Sequence, residues 1–461
     1  MVFQKIVGRR SSFKKYKYVL ICSLFLFICS LLPGQTIHDT LPSEVTLSQC
    51  ITYALANQSL IKQSLIDEDI TKRNIRLSLS DWYPQLEFDA NLRHYFKIPV
   101  ATYPNLFDPS APPVSFPAEP NYASSAIFSV NQTLYSSSLL FAAKTSGELR
   151  TQASENSRNS KINLYVDVTK AFFDILLTGE QLKVLDEDII RLKRNYKDAY
   201  NLYQNGLTDN IDFQRASITL SNVEAQKKSA EEALKAKYSV LKQVMGVAPE
   251  KQLTVSYDSS QYENEILIDT AKILDYNNRV EYRLMQSALN FQNSQISYYR
   301  FSYIPTLSAF YNYIPQFGSS QLSNLYDLNN PSSLLGIKLT FPLFKGMNRM
   351  ENLSKAKLQY SRLQFGMDYL KSQIYSEYTL ALSGYISNLN ELRVAKKNIA
   401  IAKNIFNTVK LQYDRGIKAY LEVLVSESDL RTAELNYLQI LFQVLTSKID
   451  LEKALGIIQN I

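Results

Sequence analysis

The sequence predicts a mostly α-helical protein of two internal repeats, each with two strands for a transmembrane β-barrel and one long helical hairpin. Three observations support this fold class. Landmarks recur along the 461-residue chain, since Gly206 and Gly416 stand 210 residues apart in similar stretches, "YQNGLTDNIDF" and "YDRGIKAYLEV". Short segments alternate between apolar and polar residues. The runs 137–203 and 346–412 contain no proline and are far longer than ordinary globular helices.

Residues 1–35 are predicted to be a signal peptide. "MVFQKIVGRRSSFKKYK" carries six Lys/Arg and no acid, and the apolar run 18–34 follows it. A signal anchor is the alternative, although the run is short for a span of about 20 residues. Most of the net charge of +7 belongs to this segment, so the charge does not indicate a nucleic-acid partner. Only Cys50 follows it, which excludes an intramolecular disulfide in the processed chain.

The rest of the chain is predicted to be a first repeat, 36–250, a linker, 251–269, and a second repeat, 270–461. "VLKQVMG" and "DLEKALG" close the two repeats with the same 210-residue offset, whereas the prolines of "WYPQL" and "YIPTL" are 221 residues apart. The proline-rich segment 97–121 lies between these landmarks in the first repeat, and we expect it to be a long surface loop. Each repeat then reads as a helix, two strands and a long hairpin.

The four strands are expected near 85–96, 124–135, 306–316 and 334–344. The first and last alternate most clearly, and each of the four can reach about 9–11 residues, the length of a tilted transmembrane strand. An ordinary half-buried sheet is the alternative. We prefer lipid because the chain offers no second sheet to cover this one. Four strands cannot close a membrane barrel. Two copies would supply eight strands and three would supply twelve, and three leave room for a channel.

The two proline-free runs are predicted to be helices that turn near 206 and near 416. Apolar residues recur along the first run at four- and three-residue spacing, while its other faces mix charged and amide side chains. At about 1.5 Å per residue, each run would extend roughly 100 Å. A solvent-exposed structural coiled coil is the alternative; the repeat and the strands favour a tubular assembly.

Taken in order, these stretches resemble the TolC family of outer-membrane efflux channels. The resemblance is carried by "TLSQCITYALANQSLIKQS", "WYPQL", "YIPTL", "LLGIKLTFPLFKG", the two glycine stretches and "LTSKIDLEKALG". It implies a homotrimer with a twelve-stranded barrel in outer-membrane lipid and a helical barrel that extends into the periplasm. It also implies a passive exit duct of a tripartite efflux or type I secretion system. Such a duct opens at its periplasmic end on docking to a periplasmic adaptor and an inner-membrane efflux pump or ABC exporter.

The resemblance also assigns roles to the two turns. Gly206 and Leu207 match the adaptor-contacting tip of the first hairpin, and Gly416 and Ile417 match that of the second. Both tips are expected at the periplasmic entrance.

Four charged residues match, or adjoin, the family's pore constriction. Lys418 falls where the family has an arginine of the closed state, Glu422 falls on the first of two constriction aspartates, and Val425 replaces the second. Asp212 matches an acid of the tip network, and Asp209 precedes it. Helix capping is the other explanation of the acids, because a carboxylate in the first turn of a helix is favoured. Asp209 and Asp212 form a plausible capping pair.

No catalytic or cofactor-binding constellation is found in the sequence, so we expect no enzyme activity, cofactor or metal. His38 and His94 have no metal-ligand spacing with a cysteine or a second histidine. A phosphate-binding loop, a dinucleotide fingerprint and a G-x-S-x-G motif are all missing. The remaining alternative function is a periplasmic structural or adaptor coiled-coil protein with a small soluble β-sheet.

Overall fold

The computed structural model describes residues 42, 44–105, 111–256, 266–344 and 346–458. The predicted signal peptide lies outside these residues, and so does 257–265 of the predicted linker. The strands are β1 (Glu44–Val45), β2 (Gln85–His94), β3 (Val100–Tyr103), β4 (Val114–Pro117), β5 (Tyr122–Tyr135), β6 (Thr254–Val255), β7 (Thr306–Ile314), β8 (Gln316–Ser319) and β9 (Ser332–Thr340). The α-helices are α1 (Leu47–Asn57), α2 (Ser59–Ser78), α3 (Ser137–Gln204), α4 (Asn210–Met245), α5 (Val280–Phe301), α6 (Asn348–Asp414) and α7 (Tyr420–Leu455).

The predicted fold class is confirmed: the chain is mostly helical, with two repeats and a small sheet. Helix α3 has 68 residues and α6 has 67, and each turns back into a helix of 36 residues. None of the helices in the described part of the chain is long and apolar enough to cross a membrane. The helix lengths given above make two hairpins of nearly equal length.

The two repeats pack their ends in the same way. Gly246 ends α4 and Gly456 ends α7, both with positive φ, the left-handed conformation that favours glycine. A Cβ at Gly246 would stand 3.1 Å from the Cα atom of Gln58, and one at Gly456 would stand 2.7 Å from the carbonyl oxygen of Asn278. Backbone thus approaches each glycine closely, in addition to its φ requirement, and Gln58 and Asn278 occupy corresponding places.

The main sheet is antiparallel, with the order β2-β5-β7-β9. Strand β8 continues β7 beyond Pro315 and pairs with residues 122–125 of β5. The break lies at Pro315 because proline cannot donate a hydrogen bond to the ladder. The predicted strand 306–316 is therefore interrupted at Pro315. The predicted strand 334–344 ends earlier, at Thr340, just before Phe341 and Pro342. Strands β2 and β9 form the two edges of the sheet.

Cross-strand pairing gives the sheet one apolar and one polar face. On the apolar face Phe88 is opposite Phe128, which is opposite Tyr313, and this face continues through exposed leucines and isoleucines of β9. No described residue covers the aliphatic side chains at its two edges, Leu86, Leu92, Leu335, Ile337 and Leu339, which are each at least 60% exposed. An ordinary half-buried sheet would bury this face on a core.

The proline-rich segment 97–121 contains more order than the predicted surface loop. Strands β3 and β4 pair in antiparallel fashion within it. The loop prediction missed this hairpin because prolines tolerated at a strand end, such as Pro117, dominate the local pattern.

Candidate functional site

The two hairpin turns have the same backbone conformation. Gly206 and Gly416 both have φ of 70°, with nothing within 4 Å of where a Cβ would stand. In the first turn the amide of Leu207 donates to the carbonyl of Leu202, and in the second the amide of Ile417 donates to that of Gln412, both at 2.9 Å. This is the Schellman arrangement that satisfies the last carbonyls of a helix. Glycine is needed here for its backbone conformation, not for space.

The helices that leave the two turns begin differently. Asp209 is the N-cap of α4, and its carboxylate accepts a hydrogen bond of 2.8 Å from the amide of Ile211. Ala419 occupies the same place before α7 and offers no side-chain cap. Capping therefore accounts for Asp209, whereas Asp212 and Glu422 lie in the first turn without accepting a capping bond among the described residues.

The charged residues of the tips do not form one cluster in the single chain. Lys418 and Glu422 form an exposed ion pair of 2.5 Å, one helical turn apart. Asp212 has no hydrogen bond or ion pair with the described residues and lies near two tyrosines of the other hairpin, Tyr413 and Tyr420. Burial, and secondarily the Asp212 charge, raises the pKa of the Tyr413 hydroxyl.

An apolar core joins the two hairpins just above the tips. Tyr420 of α7 belongs to one buried apolar cluster with Leu192 and Ala199 of α3 and Ala216 of α4. Its ring centroid lies 5.7 Å from that of Tyr413. The Tyr420 hydroxyl is buried without a hydrogen-bond partner in the described part of the chain. The start of α7 is therefore anchored on the first hairpin, which leaves Glu422 on the solvent side.

A buried ionic cluster farther from the tips also ties the hairpins together. Asp188 of α3 and Glu427 of α7 are 0% and 1% exposed. Arg431 of α7 donates to Asp188 at 2.7 Å, while Arg191 and Asn195 of α3 donate to Glu427 at 3.3 and 2.9 Å. Because each acid is bonded from the opposite hairpin, this cluster couples their positions.

The acids of this cluster repel each other. Burial, and then the nearby Asp188 charge, raises the pKa of the Glu427 carboxyl to about 7, against the lowering effect of Arg191. Sequence reasoning missed this site. The available signal was that Asp188 and Asn195, seven residues apart, fall on the apolar stripe of α3 among Leu185, Leu192 and Ala199.

Both lateral edges of the fold are left uncovered by the described residues. Near the sheet, helices pack in the order α2-α3-α5-α6, and near the tips in the order α4-α3-α7-α6. The first edge is therefore β2, α2 and α4, and the second edge is β9 and α6. Exposed apolar residues follow both edges: Leu60, Ile66, Ile70, Leu77, Ile211 and Ile218 on the first, and Leu358, Phe365, Leu380, Val394, Ile401 and Leu411 on the second.

No group of histidine, cysteine, aspartate and glutamate in the described residues could hold a metal ion. A cavity of about 450 Å³ lies between α3, α4 and α7 and is lined by Phe173, Leu177 and Phe442 together with Lys170 and Asp174. Lys170 forms an ion pair with Asp450, and Asp174 forms one with Lys237. These ion pairs join α3 to α7 and α3 to α4.

Known proteins resemble this chain over most of its length. Residues 50–247 and 278–457 match the family model described as "Outer membrane efflux protein". Outer membrane protein TolC of Vibrio cholerae is 21% identical over 344 residues, which cover 72% of this chain and 76% of that protein.

Solved structures share the fold. CusC has a TM-score of 0.72 and 18% identity, covering 92% of this chain and 96% of that one. The CmeC outer membrane channel of Campylobacter jejuni has a TM-score of 0.70 and 15% identity, covering 89% and 85%.

Proposed function

This chain belongs to the outer membrane efflux protein family, and we propose that three copies form a passive exit duct through the outer membrane and periplasm. The family places the chain in the outer membrane, with its helices extending into the periplasm, and the coarse function of an efflux channel follows from it. We further propose that the ring docks to periplasmic and inner-membrane partners and is gated at the hairpin tips.

The main support for a ring of copies is the pair of uncovered lateral edges of the chain. One chain ends laterally in an unpaired strand and apolar helix faces on each side, and the two sides differ from one another. Two different surfaces that fit each other produce a heterologous contact, which closes into a ring when the rotation is right. In lipid an open sheet edge is not tolerated, so the strands of neighbouring copies must pair.

The number of copies follows from the strands. Each chain supplies four, counting β7 and β8 as one. Eight strands leave an interior filled with side chains, whereas more strands leave a channel. Three copies, with twelve strands, are the smallest ring that leaves a lumen for a transported substrate.

The hairpin tips are the proposed site of docking to a periplasmic adaptor, with an inner-membrane pump or ABC exporter supplying the energy. Leu207 and Ile417 expose 70% and 67% of their surface at the two turns. Exposed apolar side chains on a polar rim are typical of protein-contact sites. Docking there would act directly on Tyr420 and the hairpin contact behind it.

The oligomer is tested by its response to heat and detergent. Full-length protein from membranes should run as a trimer on a detergent gel without heating and as a monomer after boiling. A monomer that stays in solution without detergent would favour the structural coiled-coil alternative and refute the channel.

The gate is tested by the charge at the second tip. In a ring, Glu422 would appear three times around the entrance and favour cations. Glu422→Gln should lower the cation-to-anion permeability ratio in planar bilayers, and Lys418→Gln should raise it. Glu232→Gln, which removes an exposed charge from α4 far from the tips, is the control. Unchanged selectivity in both tip variants would remove this pair from the constriction.

Asp209→Asn separates capping from gating at the first tip. Asparagine caps helices as well as aspartate does. Any change of selectivity in this variant therefore reports on charge alone.

A further inference from the structure

The charged residues of the main sheet lie on its two edge strands. Glu87, Asp89 and Arg93 are on β2 and Lys338 is on β9, while β5, β7 and β8 contain no Asp, Glu, Lys or Arg. The side chains of Glu87, Asp89 and Lys338 are exposed and have no hydrogen bond or ion pair with any described residue. The β2 edge therefore presents two acids and one arginine, and the β9 edge presents one lysine.

The acids and the lysine project from the same face of the sheet. Gln85 is paired with Asn131, Asn131 with Phe310, and Phe310 with Gly336, so odd positions of β2 share a face with even positions of β9. This is the polar face, which would line the lumen of a closed barrel. Within one chain three strand spacings of about 4.8 Å separate β2 from β9, too far for contact between Glu87 and Lys338.

Strand lengths and the matching of faces together leave one register in which all of β9 pairs with β2 of the next copy. The strands of a barrel alternate in direction here, so β9 of one copy would run antiparallel to β2 of the next. If Thr340 lies opposite Gln85, all nine residues of β9 face residues of β2, and Lys338 lies opposite Glu87. This register also keeps the prolines that bound the two strands, Pro84 and Pro342, at one level.

Barrel geometry is compatible with the same register. Barrel strands tilt by about 35–45°, and strands are about 4.8 Å apart with about 3.4 Å per residue. Crossing four strands therefore shifts the next β2 by roughly four to six residues. Without a shift, Lys338 would lie opposite position 83, before the strand. A shift of about four residues puts Glu87 opposite Lys338, and one of about six puts Asp89 there.

We infer that Lys338 pairs with Glu87 of the neighbouring copy, with Asp89 diagonal to them, and that this lumen-facing ion pair sets the register of the seam between copies. The inference rests on the proposed ring and names the contact that closes it. Directly opposite residues on antiparallel strands have Cβ atoms about 4.5–5.5 Å apart, and a diagonal neighbour is within reach of a lysine. In a trimer the pair would occur three times.

Cysteine cross-linking tests the register. Glu87→Cys and Lys338→Cys are combined in full-length protein that also carries Cys50→Ser. Mild oxidation in membranes should then produce covalent dimers and trimers that survive boiling without reductant. The control pair joins Lys338→Cys to Ser129→Cys, on the same face of β5, and should give no covalent oligomer.

Charge exchange tests the ion pair itself. Lys338→Glu would bring like charges together at every seam and should speed dissociation of the oligomer at a fixed temperature about tenfold, as expected for several weak exposed pairs. Adding Glu87→Lys should return the rate to within about threefold of wild type. Ser129→Lys, which places a charge on a central strand, should not speed dissociation of the oligomer as Lys338→Glu does.

The results of these experiments test the ion pair and the ring separately. An oligomer without Glu87–Lys338 cross-links, or a double exchange that dissociates as fast as Lys338→Glu alone, overturns the pair and leaves the ring intact. The edge charges would then serve only to prevent unwanted strand pairing. A wild-type chain that runs only as a monomer overturns the ring and the seam together.

Discussion

Replacing Glu427 by glutamine tests whether the buried cluster makes the contact between the hairpins sensitive to pH. The carboxyl is 1% exposed and its pKa is raised from 4.5 to about 7 by burial and by Asp188. When the hairpins separate locally, the carboxyl reaches water and its pKa returns to the ordinary value. The packed state therefore holds a proton that the opened state releases.

The direction of the pH dependence follows from this difference in pKa between the packed and the opened state. The stabilising contribution of the protonated carboxyl is fully present below about pH 4.5 and is lost as the pH rises through 7. A tenfold difference in proton affinity corresponds to about 1.4 kcal/mol, so the contact should weaken by on the order of 3 kcal/mol across this window. Glu427→Gln keeps a neutral group of the same shape and should lose the dependence.

Hydrogen exchange measured by mass spectrometry provides the assay. Peptides that cover 185–199 and 423–431 are followed in the full-length protein between pH 5 and 7.5, after correction for intrinsic exchange rates. Protection in wild type should fall as the pH rises, and in Glu427→Gln it should stay flat. Glu187→Gln, an exposed neighbour on α3, should behave as wild type. A flat wild-type profile, or a slope that survives in Glu427→Gln, would refute the reasoning.

Two further predictions concern helix ends. Asp209→Ala should destabilise the first turn of α4 by about 1 kcal/mol through loss of the cap, and Ala419→Asp should stabilise the first turn of α7 by a similar amount. Hydrogen-exchange protection of these two turns measures both effects. A change of the same sign in both variants would contradict the difference in capping between the two helices. Arg279, whose guanidinium bonds Glu281, Glu377 and the carbonyl of Ala454, is 3% exposed. Arg279→Met should lower stability by about 1–3 kcal/mol, because the buried carbonyl of Ala454 and the partly exposed carboxylates of Glu281 and Glu377 lose a charged donor, and an unchanged melting temperature would refute that role.

Much of the fold could be predicted because it depends on local pattern. The two glycines at the tips are required by backbone conformation, so the turns can be located from sequence to within a residue. The lengths of α3 and α6 follow from the proline-free runs between strand and glycine. The alternation along β2 and β9 likewise marks the apolar face, because side chains of a strand point to opposite sides at every step.

Interruptions of that pattern were harder to predict. Pro315 divides one strand into β7 and β8, and the ladder resumes beyond it because β5 is long enough to pair with both. The end of β9 at Thr340 depends on where its partner β7 begins. Strand ends are set by the neighbouring strand as well as by the strand's own residues.

The sequence by itself determined the two repeats, the hairpin turns and the amphipathic strands, since each is encoded in residues close together in the chain. Only the tertiary structure decided that Glu427 meets Asp188 and Arg191, more than 230 positions away in sequence, and that Tyr420 anchors on the first hairpin. It also decided which edges stay unpaired and that their charges are opposite. Such pairings depend on how two hairpins pack, and local periodicity carries no record of the partner.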